Sequence, residues 1–176
     1  LIDLSPTGDP TCGGADFWKN YNLVVRGNGI KKITNTGGWD QGASTIATIT
    51  SGDGFADMTV GESTTSRMAG LGDLDNTRSY TDIDFATYLT GSTLYVYESG
   101  SSRGSFTGYL KGDRLRVEIR DGVVLYRRNG VHYYTSAVAP SYPLAFDTSL
   151  LTLNSTVNDV VIHECGDDDP LCVLPL

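Results

Sequence analysis

Glutamate, lysine and histidine are scarce in this chain. Only four of its 21 acids are Glu (Glu62, Glu98, Glu118 and Glu164), and the other 17 are Asp. Glu and Lys favour helices whereas Asp and Gly favour turns, so this deficit, set beside 21 Gly, excludes a helical bundle or a coiled coil. Basic residues number 13 against those 21 acids, a net charge of −8, and no basic face can dominate the field of such a chain. A nucleic-acid backbone is therefore excluded as the main ligand. Apolar runs are short, and none approaches the ~20 residues of a membrane helix. With His132 and His163 as the only histidines, one chain cannot build a multi-His zinc site. The three cysteines, Cys12, Cys165 and Cys172, are spaced too unevenly for a finger.

What is present is a β pattern. In 176 residues, 39 % of them apolar, the apolar period is two almost throughout. That length makes one domain, able to bury roughly 70 % of its unfolded surface. Strands are expected at 21–26, 29–34, 44–50, 55–60, 66–71, 80–89, 93–98, 113–120, 122–128, 131–135, 142–147 and 156–163. Asp121-Gly122 and Asn129-Gly130 are pairs that accept positive φ at both central positions of a type I′ hairpin, which makes the last third an antiparallel meander. About a dozen short strands with no repeat and no linker predict a single two-sheet antiparallel β-sandwich over 1–176. Leu115, Val117 and Ile119 take its inner face, and Arg114, Arg116, Glu118 and Arg120 the outer. Tyr95 and Tyr97 fit either face. The Ser-Gly stretch 99–102 reads as a loop.

The chain opens at Leu1 without a Met, and its surface composition is rich in Ser, Thr, Gly and Asp. Both features suit a mature secreted chain at or outside the cell surface. In an oxidising compartment one intramolecular bridge forms at most. Cys12 with Cys165 or Cys172 staples the two ends; Cys165 with Cys172 closes the small acidic ring CGDDDPLC. Apolar arms at about 1–16 and 164–176 dock either on their own sandwich or on a neighbouring subunit.

The segments MAGLGDLDNTRSYTDIDFATYL (68–89), TLYVYESGSSRGSF (93–106) and KGDRLRVEIRDGVVLYRRNG (111–130) carry a resemblance. They resemble the concanavalin A-like jelly rolls (lectin/glucanase, laminin-G and SPRY-like), above all modules of large bacterial extracellular proteins. The resemblance implies a twisted two-sheet sandwich whose concave face or edge loops bind glycans, and it carries over no catalytic residue. Glucanases of that superfamily use two glutamates on one strand. Glu98 stands alone in YVYESGS and Glu118 has no second Glu within reach, so the ~5–5.5 Å carboxyl pair of retaining hydrolysis is missing. There is also no Gly-x-Ser-x-Gly elbow, and Gly100–Gly104 lacks the Lys and helix of a phosphate cradle.

Two candidate sites remain. Asp73, Asp75, Asp82 and Asp84 supply the hard oxygens that Ca²⁺ wants, with Asp82 and Asp84 on one face of a strand. The plainer alternative is two loop acids and a solvated sheet face. Asp53 and Asp57 read as turn residues, and Asp167, Asp168 and Asp169 as a solvated turn. For glycans, exposed aromatic rings stack on sugar C–H faces while polar neighbours take the hydroxyls. Trp39 with Asp40 beside it is the first candidate, followed by Tyr80, Tyr133 and Tyr134, with Arg103 and Arg116 as hydroxyl or carboxylate partners. The expected role is a non-enzymatic lectin-like module binding a glycan or surface polymer. The competing role is a structural subunit of a secreted filament or sheath, joined to identical copies through the terminal arms.

Overall fold

A computed structural model describes residues 16–73 and 77–173. Fourteen strands account for most of them. They are β1 (Trp18–Lys19), β2 (Val24–Arg26), β3 (Gly29–Lys31), β4 (Ser44–Ile49), β5 (Gly54–Thr59), β6 (Arg67–Gly72) and β7 (Phe85–Thr90). They continue as β8 (Thr93–Glu98), β9 (Ser101–Gly108), β10 (Arg114–Arg120), β11 (Val123–Arg128), β12 (Val131–Thr135), β13 (Leu144–Leu150) and β14 (Thr156–Glu164). One sheet runs β1-β4-β13-β6-β7-β8-β9 and the other β12-β11-β10-β5-β14-β3-β2, with every pairing antiparallel. Between them lies one core, in which Trp18, Leu71, Phe85, Leu89, Leu94, Val96, Phe146, Leu115, Val117, Ile119, Val124 and Tyr126 are all buried.

The hairpins follow from residues that tolerate positive φ. Asp121-Gly122 (φ 50° and 74°) and Asn129-Gly130 (φ 48° and 79°) turn the chain as expected. Gly91-Ser92 (φ 54° and 62°) and Ser99-Gly100 (φ 45° and 77°) make the same kind of turn. The last of these corrects the reading of 99–102 as a loop, because it delivers the chain directly into the eight-residue β9. This strand escapes notice because SSRGSFTG is short of the branched and aromatic residues that mark strands.

The stretch 80–89 is not one strand. Ser79 caps a 3₁₀ turn over Tyr80–Asp82, with its side chain accepting from the Thr81 amide, and β7 starts only at Phe85. The strand expected at 142–147 begins at Leu144, after a cis Tyr142-Pro143 bond, and runs to Leu150.

Residues 165–173, ending in a short helix α1 (Pro170–Val173), lie against the outer face of the second sheet. The bridge is Cys165–Cys172, the small ring. Cys165 N–H donates to Asp53 C=O (2.9 Å), Arg120 to Cys172 C=O (2.7 Å), and His163 Nε2 pairs with Asp169 Oδ2 at 2.6 Å. The C-terminal arm thus packs on its own sandwich as far as Cys172. Cys12 and most of the N-terminal arm lie outside the described residues.

Candidate functional site

Lys32, just past β3, is fully buried, and its ammonium needs three acceptors. It finds Gly38 C=O (2.7 Å), Asp40 Oδ1 (2.8 Å) and Leu150 C=O (3.0 Å). Two of these flank Trp39, so one buried cation pins the loop 36–40 and sets its indole on the outer face of the first sheet. Asp40 also accepts from Thr36 Oγ1 at 2.7 Å. Its hydrogen bonds from Lys32 and then Thr36 hold the carboxyl below the ordinary range, against a small opposing effect of burial. Asp40 therefore anchors the Trp39 loop.

Trp39 meets Tyr80 at 5.1 Å and Tyr88 at 5.6 Å between ring centroids. Strand alternation supplies the rest. Tyr88 on β7 stands directly opposite Tyr95 on β8, with ring centroids 5.8 Å apart, and Tyr97 approaches Tyr88 at 5.4 Å and Tyr80 at 6.2 Å. Buried Met68, Ile83 and Ala86 form the floor. The five rings meet edge-to-face or tilted, the arrangement their quadrupoles prefer, and each remains half-buried. Among the described residues the Trp39 Nε1 and the hydroxyls of Tyr80, Tyr88, Tyr95 and Tyr97 make no hydrogen bond. The patch therefore presents C–H and π surface rimmed by unused polar groups. Tyr88, Tyr95 and Tyr97 were missed as site residues. The Gly91-Ser92 turn between the two expected strands puts all three in phase.

The acidic group lies beside Tyr80. Asp73 N–H donates to Asp84 Oδ2 (2.8 Å), and Ser99 Oγ to Asp84 Oδ1 (3.2 Å). Burial, and then the charge of Asp73, push the Asp84 carboxyl up despite the Asp73 amide bond. Asp82 sits on the 3₁₀ turn, not on a strand face shared with Asp84. Its Oδ2 accepts from Thr77 N–H (2.9 Å) and Oγ1 (2.8 Å), which closes its own loop. Its buried Oδ1 has no hydrogen-bond partner among the described residues. Asp75 lies outside the described residues. The donor set fits a hard cation in part: Asp73 and Asp84 bring carboxylates together, whereas one Asp82 oxygen is already engaged.

The remaining expected residues fall elsewhere. Arg103 on β9 donates to Glu98 Oε2 at 2.8 Å, where the buried carboxylate also meets Tyr126 OH at 3.4 Å. Tyr133 sends its hydroxyl inward to Thr87 Oγ1 (3.1 Å), and burial raises its ionisation far above the usual tyrosine range. Tyr134 packs on Phe106 at 4.9 Å.

Arg116 points outward on β10, as expected, and is nonetheless buried. Its Nε and Nη2 clasp Asp57 at 2.7 Å each, and its guanidinium lies 3.6 Å over the Phe55 ring. Asp57, read as a turn residue, is thus a buried strand residue of β5 that also holds Arg114 at 2.5 Å. Glu118, equally buried, holds Arg127 at 2.8 Å. His163, Asp169 and Cys172 come close together, but the Cys172 sulfur is already bonded to Cys165, so this trio cannot ligate a metal.

No family model and no curated protein matches the chain. Solved structures do. The TRIM65 PSpry domain aligns over 86 % of this chain and 92 % of its own, with a TM-score of 0.59 and 12 % identity. The SPRY domain of human HERC1 aligns over 77 % and 87 %, at 0.55 and 11 %. The polysaccharide lyase family 7 alginate lyase AlgAT5 aligns over 87 % and 85 %, at 0.53 and 14 %. The fold is a concanavalin A-like jelly roll. At such identities the likeness concerns this jelly roll's architecture alone, and its function is argued from its own residues.

Proposed function

We propose that this jelly roll is a non-enzymatic extracellular module that binds a glycan or another surface polymer on its aromatic patch. The observation that carries the reading is the group Trp39, Tyr80, Tyr88, Tyr95 and Tyr97, half-buried, braced from below and with its polar atoms unused. Sugar rings bind such surfaces by laying C–H faces on the rings while their hydroxyls take the rim groups. A disulfide suits an oxidising compartment, and no described helix is long and apolar enough to cross a membrane. One fold neighbour is an alginate lyase and others are SPRY domains, so the jelly roll accommodates both enzymes and non-enzymes. The non-enzymatic reading rests on the commitments of Glu98 and Glu118, each tied to an arginine rather than paired with a second carboxyl.

The test is a glycan array followed by titration calorimetry on the hits. Trp39→Ala and Tyr88→Ala each weaken binding by about tenfold or more, the scale of a lost aromatic anchor. Binding that survives both substitutions, or an array with no hit, defeats the proposal. Ca²⁺ is proposed as an auxiliary at Asp73 and Asp84, where it would offset the crowded carboxylates and stiffen the turn that carries Tyr80. A rise in unfolding temperature with Ca²⁺, reversed by chelator and absent in Asp84→Asn, is the expected result.

A further inference from the structure

β9 ends the first sheet and β12 ends the second, and the two meet along one open side of the sandwich through Phe106, Tyr133 and Tyr134. At one end of this seam is a cavity of about 440 Å³ lined by Thr107, Arg128, Asn129, Val131, His132 and Tyr133. That volume falls in the ordinary range for small-ligand sites. The lining contains no carboxylate, although the whole chain carries a net charge of −8. Its cation is Arg128, held in place from behind. Arg128 Nε donates to Asp113 Oδ2 (2.7 Å) and Nη1 reaches Thr107 Oγ1 (3.5 Å), whereas Nη2 makes no hydrogen bond among the described residues.

Asp113 is saturated by Leu110 N–H (2.7 Å) and Asn129 Nδ2 (2.8 Å), so it orients the guanidinium and offers little more to a ligand. His132 spends Nε2 on Thr135 Oγ1 (2.8 Å) and keeps Nδ1 unused. The apolar wall is Val131, 70 % exposed, together with the ring of Tyr133, whose hydroxyl is turned inward to Thr87.

We infer that this cavity binds an acidic sugar, a pyranose bearing a carboxylate. The carboxylate takes the free side of the Arg128 fork in a charge-assisted pair. The ring's C–H face lies on Val131 and Tyr133. Its hydroxyls meet Thr107 Oγ1 and His132 Nδ1. A purely hydrocarbon acid has no partner for His132 Nδ1, which is why a sugar body fits better than an aryl one. The site is separate from the aromatic patch and does not depend on it.

The probe is an oligomer of glucuronic acid, titrated by calorimetry and by amide chemical-shift mapping. The wild-type chain is expected to bind it, with shifts centred on residues 107 and 128–133. The corresponding carboxamide should bind about tenfold or more weakly, and Arg128→Gln should lose a similar factor. Since Arg128→Gln also loosens Asp113, the second variant is Val131→Asp, which places a repelling charge at an exposed position. It should abolish binding while leaving the unfolding midpoint unchanged, and Trp39→Ala should bind the acidic oligomer as well as wild type. Equal binding of acid and carboxamide, undiminished binding by Val131→Asp, or benzoate binding as tightly as glucuronate would each overturn the inference.

Discussion

The guanidinium of Arg116 is held on two sides, by the Phe55 ring and by both oxygens of Asp57, in a pair almost closed to solvent. Removing one member of a buried pair leaves an uncompensated charge, so Arg116→Ala should cost about 3–5 kcal/mol, less whatever Arg114 recovers for Asp57. The check is urea denaturation; replacing both members with apolar residues of similar volume should restore much of the loss. Asp84 behaves oppositely. Its folded pKa is raised, mainly by burial and secondarily by Asp73, so the ionised form is disfavoured in the native state. The native protein therefore bears that penalty above the folded pKa and is free of it below the unfolded value. Asp84→Asn keeps an acceptor for the Asp73 amide or Ser99. It should raise the melting temperature at neutral pH, and the gain should vanish in acid as the parent Asp84 takes up its proton. A gain that persists into acid would assign the effect to something other than charge.

At the scale of elements, β9 and the C-terminal ring are the least obvious parts of the chain. β9 has few apolar anchors, and Phe106 is the principal one, packed on Tyr133 at 6.0 Å and Tyr134 at 4.9 Å. Phe106→Ala is expected to cost roughly 2 kcal/mol, below the ~3–5 of a fully buried phenylalanine, and to speed hydrogen exchange along β9 and β12 before other strands. The ring closed by Cys165–Cys172 spans only seven residues of separation, for which the chain-entropy model gives about 2–3 kcal/mol. Cys172→Ser should therefore release the amides of 165–173, together with the Arg120 contact, while the sandwich itself melts nearly as before. Proteolysis and hydrogen exchange read this more directly than a melting curve does.

At the scale of the molecule, the sheet edges bear on whether copies associate. β1 and β2 are edges of two and three residues, too short to template another strand. β9 departs twice from regular register against β8, and β12 once against β11; such bulges twist an edge away from further pairing. The C-terminal arm is occupied on its own sheet as far as Cys172. Light scattering at high concentration should accordingly give the monomer mass with or without reductant. A large assembly would revive the structural-subunit role and turn attention to the N-terminal arm.

Alternation and turn chemistry in the sequence were enough to specify an all-β jelly roll, its inner face and the Asp121-Gly122 and Asn129-Gly130 hairpins. These depend on local rules of period and positive φ, which neighbouring residues carry by themselves. Trp39 and Tyr80 could be singled out in the same way, as aromatics among polar and glycine residues. Tertiary structure alone decided what each side chain was free to do. Leu150, 118 residues from Lys32, joins Asp40 in fixing the ammonium that orients Trp39; Asp57 and Arg116, 59 residues apart, neutralise each other. Alternation sets which face a residue occupies, but solvent access and partners depend on what the rest of the chain brings to that face, and no local pattern encodes this.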